Sequence, residues 1–123
     1  MRTLVAVAAV WGIFFAVPFV IYGSASGLFS LQPPTAPAWR FLLSVAITKL
    51  GTALAFVALF TLCLDEWRGH WLRYAGIWFV MFAVSEVGDV VKPDYSFAEA
   101  TLGMLSEAVY APLSAFTIDR LFR

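Results

Sequence analysis

The chain contains four long apolar stretches, and their length limits the folds that it can adopt. They run at about Leu4–Tyr22, Phe41–Leu64, Leu72–Val91 and Phe97–Leu121, between clusters of charged, proline and glycine residues. Each is close to the ~20 residues with which a helix crosses ~30 Å of hydrocarbon. A helix satisfies its own backbone in lipid, and the alternation typical of barrel strands is absent. The sequence therefore predicts an all-α fold, a polytopic membrane protein with a four-transmembrane-helix bundle.

The composition agrees with a membrane location. Hydrophobic residues make up 62% of the 123 residues and charged residues 13%, whereas a soluble domain carries ~25% charged residues. The formal net charge of zero gives no reason to expect nucleic acid as a partner. We expect one domain over residues 1–123, with the lipid bilayer as its surroundings.

The first apolar stretch could be mistaken for a signal peptide, because the small residues Ser24–Ser26 follow it. Its apolar run of about 20 residues is longer than the ~7–15 residues of a signal-peptide core, so we interpret it as a retained span. The Ser-, Pro- and Gly-rich segment Gly23–Trp39 predicts a loop. In that loop Leu28, Phe29 and Leu31 could dip into the membrane interface.

Basic residues near the ends of the stretches predict the orientation. Five lie on the side that carries both termini and two lie on the opposite side. The side of the termini carries Arg2, Arg68, Arg73, Arg120 and Arg123, and the opposite side carries Arg40 and Lys92. Because cytoplasmic loops are enriched in Lys and Arg, we expect both termini in the cytoplasm and a bacterial inner (plasma) membrane as the location.

Five charged residues lie inside or at the ends of these apolar stretches: Lys49, Glu86, Asp89, Glu99 and Glu107. A charge at the bilayer centre costs at least ~2.5–3.5 kcal/mol. Such residues therefore indicate a buried polar site.

Depth along the helices suggests how these charges are arranged. At 1.5 Å per residue, Lys49 and Glu107 lie roughly 13 and 15 Å below the outer surface, which predicts an ion pair. Glu86 lies roughly 7 Å deep, and Asp89 and Glu99 lie near the surface. The acids would form a ladder from the outer interface to the membrane centre.

The fourth stretch carries a polar stripe at three- and four-residue steps. Its members are Glu99, Gly103, Ser106, Glu107, Tyr110, Ser114 and Thr117. Such a stripe faces protein or water, and Tyr110 could line a pocket there. The first stretch has no internal charge, and we expect it to pack outside the charged helices through Ala8, Gly12 and Ala16.

Several of these charges also have a structural interpretation. Lys49 and Glu107 could simply hold two helices in register. Lys92 could neutralise Asp89 or Glu99, and Glu99 could complete a capping box with Ser96 at the start of the fourth helix. These alternatives stay open at the level of the sequence.

No cofactor is predicted. The single Cys63 and the single His70 exclude an internal disulfide, a thiolate metal cage and bis-histidine haem ligation within one chain. A divalent metal could be bound by Glu86, Asp89 and Glu107. The motifs of membrane enzymes are missing, since no histidine lies in a span and no Gly-rich phosphate loop occurs.

The charge balance leads to the functional hypothesis. Several carboxylates in a low dielectric cannot all stay ionised against one lysine, which favours binding or transport of a proton, cation or small cationic solute. Glu86 and Glu107 would bind it, Lys49 would act as counter-ion, and Asp89 and Glu99 would form an outer mouth. We expect a homo-oligomer or a place in a larger membrane complex. The alternative is a non-catalytic accessory subunit whose charges meet a partner.

Overall fold

The computed structural model describes residues 1–29 and 37–123, and this part of the chain is helical without strands. The helices are α1 (Arg2–Phe29), α2 (Ala38–Leu62), α3 (Leu64–Trp67), α4 (Trp71–Asp89) and α5 (Phe97–Phe122). The all-α prediction is confirmed, and each predicted stretch corresponds to one long helix. Two of them, α1 and α2, are long and apolar enough to cross a membrane.

The first helix is longer than predicted. It continues through the segment that we expected to begin a loop and ends at Phe29. Ala25 is buried in this extra length, and the Ser26 hydroxyl donates to the Gly23 carbonyl at 3.0 Å. Burial and internal hydrogen bonding thus outweigh the low helix propensity of the glycines and serines. The expectation for Leu31 falls outside the described residues.

Helix α5 packs between α1 and α4, and α1 also packs against α2. Our expectation that α1 packs outside the charged helices is therefore wrong. Ala6, Val10 and Phe14 on α1 are fully buried, because this face supplies larger apolar side chains to the interior. The residues expected to pack are exposed instead: Ala8, Gly12 and Ala16.

The half of the bundle that carries the termini is filled by aromatic side chains. The Phe14 ring lies 4.6 Å from the Tyr110 ring, and the Phe56 ring lies 4.9 Å from Tyr74 and 5.1 Å from Trp78. The Tyr74 hydroxyl donates to the Phe56 carbonyl, which ties α4 to α2. These contacts close that half of the bundle.

A buried aspartate ties the connection between α3 and α4 to the end of α5. Asp119 accepts the Gly69 backbone N–H at 2.8 Å and the Arg123 guanidinium at 2.9 and 2.8 Å. Gly69 has φ +81°, a left-handed conformation that glycine adopts without steric cost. The sequence did not single out Asp119.

The predicted capping box at the start of α5 is confirmed. The Glu99 backbone N–H donates to the Ser96 hydroxyl at 3.2 Å, and the Ser96 backbone N–H donates to the Glu99 carboxylate at 2.7 Å. The box fixes where α5 begins, and so sets which α5 side chains face the interior.

The outward faces of α4 and α5 carry large apolar side chains, whereas the inward face of α5 carries polar ones. Buried polar residues of this helix are Ser106, Glu107, Ser114 and Asp119. The exposed large apolar residues of α4 are Leu72, Ile77, Val80, Met81, Val84 and Val87, and those of α5 include Leu105, Val109, Leu113 and Phe116. A water-soluble helix normally has the opposite pattern.

Candidate functional site

A cavity of about 890 Å³ lies among α1, α2, α4 and α5, in the half of the bundle away from the termini. Five of the six predicted site residues line it: Lys49, Glu86, Glu99, Glu107 and Tyr110. Three helices supply them. The sequence therefore predicted most of the ionisable groups that this cavity brings together.

Glu86 reaches the cavity from the last turn of α4. Its carboxylate lies directly against the backbone of Gly103 on α5, where a Cβ atom would come within 3.0 Å of all three carboxyl atoms. The Tyr95 hydroxyl donates to Glu86 Oε2 at 2.5 Å. A glycine on α5 and a tyrosine from the turn before it therefore fix the position of this carboxylate.

Glu107 lies one turn deeper than Gly103 on the same face of α5. The residue is only 5% exposed, and its Oε2 atom has no hydrogen-bond partner among the residues that the structure describes. Leaving a buried carboxylate oxygen unpaired is costly. The Glu86 carboxylate and the Lys49 ammonium are close enough to interact electrostatically with it. The arrangement leaves one acceptor free at the inner end of the cavity.

The predicted ion pair between Lys49 and Glu107 does not form within the 4.0 Å limit of a salt bridge. The Lys49 ammonium instead donates to the Tyr110 hydroxyl at 3.4 Å and lies 4.9 Å from the centre of that ring. Lys49 and Glu107 line the same cavity, but a similar position along two helix axes does not fix the rotation of either helix. The tyrosine of α5 occupies the position next to the lysine.

Glu99 and Asp89 adopt the structural roles that the sequence left open. Glu99 lines the cavity, but its carboxylate is engaged by the capping box and also accepts the Ser96 hydroxyl at 3.0 Å. Asp89 lies outside the cavity and pairs with the exposed Lys92 at 2.6 Å. Asp89 is therefore not a site residue, which corrects our prediction of an outer mouth formed by both acids.

Two tyrosines that the sequence analysis did not select as site residues belong to the cavity wall. Tyr22 lines the cavity and donates to the Glu99 backbone carbonyl at 3.0 Å, and Tyr95 reaches Glu86. Burial, then the hydrogen bond to Glu86, raises the pKa of Tyr95. Its hydroxyl therefore keeps the proton that it donates. The available signal was their position at the outer ends of the predicted stretches, since Tyr22 ends the first stretch and Tyr95 lies between the third and the fourth.

The remaining wall of the cavity carries no acid and is mainly apolar, with Tyr22, Ser26 and Lys49 as its polar members. It is formed by α1 and the first half of α2: Phe15, Pro18, Phe19, Phe41, Leu42 and Val45. The carboxylates come from α4 and α5, so the apolar and acidic walls belong to different helices. The cavity is therefore amphipathic, with its acids on one side.

The divalent-metal arrangement of Glu86, Asp89 and Glu107 that the sequence left open does not form, because Asp89 pairs with Lys92 instead. Among the residues that the structure describes, no three His, Cys, Asp or Glu side chains are placed to hold a metal ion. Comparison with protein-family models, curated proteins and solved structures finds no match for this chain.

Proposed function

We propose that the protein is an integral membrane protein whose four long helices all cross the bilayer. Helices of 19 and 26 residues, α4 and α5, would extend about 28 and 39 Å at 1.5 Å per residue, enough for the hydrocarbon core. Their outward faces support insertion, since these faces are apolar along most of their length and carry exposed charges only near the helix ends, at Arg73 and Arg120. The distribution of Lys and Arg supports cytoplasmic termini, as in a bacterial inner membrane.

Within that membrane the protein binds a proton or a small cation in the cavity, entering from the side away from the termini. The observation that supports this most directly is the unpartnered carboxylate oxygen of Glu107 at the inner end of the cavity. A cation there would supply the missing partner and offset the surplus of acid over the single lysine.

The neighbouring groups have separate roles in this proposal. Glu86, held by Tyr95 and Gly103, provides a second carboxylate for the cation. Lys49, which contacts Tyr110, is the internal counter-ion and moves away from the acids when a cation binds. The aromatic packing around Phe14 and Tyr110 closes the opposite side, so transport would require this packing to open. A second copy of the chain is the expected partner for a complete path.

Proton release on cation binding tests the proposal. Protein in lipid nanodiscs is placed in weak buffer near pH 7, and sodium or methylammonium chloride is added while a pH dye records released protons. We expect saturable release from the wild type and its loss in Glu107→Gln and Glu86→Gln. In proteoliposomes Glu86→Gln should abolish pH-dependent uptake as well.

The matched control is Glu66→Gln, because Glu66 is exposed on the short helix α3 and lies outside the cavity. Its proton release should equal that of the wild type. Unchanged release from Glu107→Gln, in a variant that keeps the wild-type melting temperature, would remove the deep carboxylate from the mechanism.

A second candidate is an accessory subunit of a larger membrane complex. The first half of α2 favours it, because this segment projects large exposed apolar residues: Trp39, Phe41, Leu43 and Ile47. Such a subunit would co-purify with a specific membrane protein in mild detergent, and its charges would be covered by that protein. Purification as a homo-oligomer with saturable proton release would exclude this alternative.

A further inference from the structure

We propose that the ligand of the cavity is an amphiphilic organic ammonium, a cation whose alkyl or aryl group contacts the wall formed by α1 and α2. This inference rests on the proposed cation site and names its ligand class. Such a ligand would contact the apolar wall of α1 and α2, which a proton or a bare metal ion would leave without a contact.

The first argument is the division of the cavity into two walls. Glu86 and Glu107 lie on the α4–α5 side, whereas Phe15, Phe19 and Val45 lie on the α1–α2 side. A ligand that spans the cavity therefore meets carboxylates at one end and aromatic or aliphatic side chains at the other. An apolar group that leaves water for such a wall gains about 25 cal/mol per Å² of buried surface.

The second argument comes from Lys49. Its side chain is a four-carbon stem that ends in an ammonium, and that ammonium lies 3.4 Å from the Tyr110 hydroxyl and 4.9 Å from its ring centre. The chain thus already places an alkylammonium group of its own in the cavity. When Lys49 moves away, a free alkylammonium can make the same contacts with Tyr110 and reach the unpartnered oxygen of Glu107.

The third argument is volume. The cavity holds about 890 Å³, within the ~300–1,000 Å³ typical of sites for small organic ligands. A dehydrated inorganic cation needs only a small fraction of that space. A site for such an ion alone would also be enclosed by oxygen ligands rather than by apolar side chains.

A homologous series of alkylammonium ions tests the inference in the same nanodisc proton-release assay. Methyl-, ethyl-, propyl- and butylammonium carry the same charge and differ only in apolar length. We expect the half-saturating concentration to fall about threefold to fourfold for each added methylene in the wild type. Empty nanodiscs correct for partition of the amines into lipid.

Two adjacent leucines provide matched variants. Leu42 lines the cavity, whereas Leu43 lies outside it and is exposed. Leu42→Ser should weaken butylammonium binding at least threefold while leaving methylammonium nearly unchanged, and Leu43→Ser should alter neither. Both substitutions leave the carboxylates in place.

The outcomes separate the inference from the proposed function. Saturable proton release with the same half-saturating concentration for all four amines would overturn the amphiphilic ligand and keep the cation site. Release by no cation at all would overturn both. The inference is supported if the half-saturating concentration falls with alkyl length in the wild type and in Leu43→Ser but not in Leu42→Ser.

Discussion

Replacing Gly103 with alanine should move Glu86 out of the cavity. The added Cβ would lie within 3.0 Å of all three carboxyl atoms of Glu86, so the two groups cannot occupy their present positions together. The end of a flexible glutamate side chain moves more readily than two packed helices separate. We therefore expect the carboxylate to swing away and to lose the hydroxyl of Tyr95.

The expected magnitudes follow from the lost and gained interactions. A hydrogen bond to a charged group contributes about 1.5–3 kcal/mol, and alanine gains about 1 kcal/mol over glycine in a helix interior. The free energy of unfolding should fall by about 0.5–2 kcal/mol, which leaves the protein folded. Loss of one of two carboxylates should weaken cation binding about 10- to 100-fold.

The nanodisc titration measures the affinity, and thermal unfolding in the same nanodiscs measures stability. Gly76→Ala is the matched control, because Gly76 lies inside α4 and a Cβ there would have nothing within 4 Å. It should stabilise the protein slightly and leave binding unchanged. If Gly103→Ala bound cations as well as the wild type, Glu86 would not be part of the site.

Three further substitutions have distinct expected results. Tyr95→Phe removes the donor to the acidic wall, so cation affinity in the titration should fall by about 3- to 10-fold, and no fall would show that the hydroxyl is dispensable. Asp119→Ala leaves the Gly69 N–H without its acceptor, so thermal unfolding should show a loss of about 1–3 kcal/mol while binding at the other end stays normal. Asp89→Asn breaks only the exposed pair with Lys92; stability should change by less than about 1 kcal/mol, and a clear loss of cation binding would return Asp89 to the site.

The long helices could be predicted because the apolar stretches are close to a membrane thickness and because the cap at Ser96 has a local signature. The end of α1 could not be predicted in the same way. Its last residues are glycines and serines, and the burial of Ala25 against the bundle is a tertiary contact. Packing outweighs the low helix propensity of these residues.

The sequence predicted which residues form the candidate site more accurately than it predicted which of them contact each other. An intramembrane charge is costly wherever it lies, so Lys49, Glu86 and Glu107 could be selected from the sequence alone. The pairing of these charges depends on how each helix is rotated and on the neighbouring aromatic side chains. Depth along the helix predicts neither. Tyr110 therefore took the place beside Lys49 that we had assigned to Glu107.

The face of α1 that packs against the other helices could not be predicted from the sequence either. Small residues at four-residue steps, as in Ala8, Gly12 and Ala16, are typical of close helix contacts in membranes. A second four-residue series with larger side chains, Ala6, Val10 and Phe14, competes on the same helix and is the one that is buried. Only the partner helices decide between two such faces.

The central claim is that a water-accessible cavity reaches the deep acids, and cysteine labelling measures it most directly. In a Cys63→Ser background, Lys49→Cys would face the cavity, whereas Ile47→Cys at a similar depth would face away and is 63% exposed on the outer surface of α2. A water-soluble cationic thiol reagent reacts with the thiolate, which forms in water but not in lipid. We predict at least tenfold faster labelling at position 49 than at position 47, slowed by Glu107→Gln. Equal rates at the two positions, or no reaction at position 49, would contradict the account.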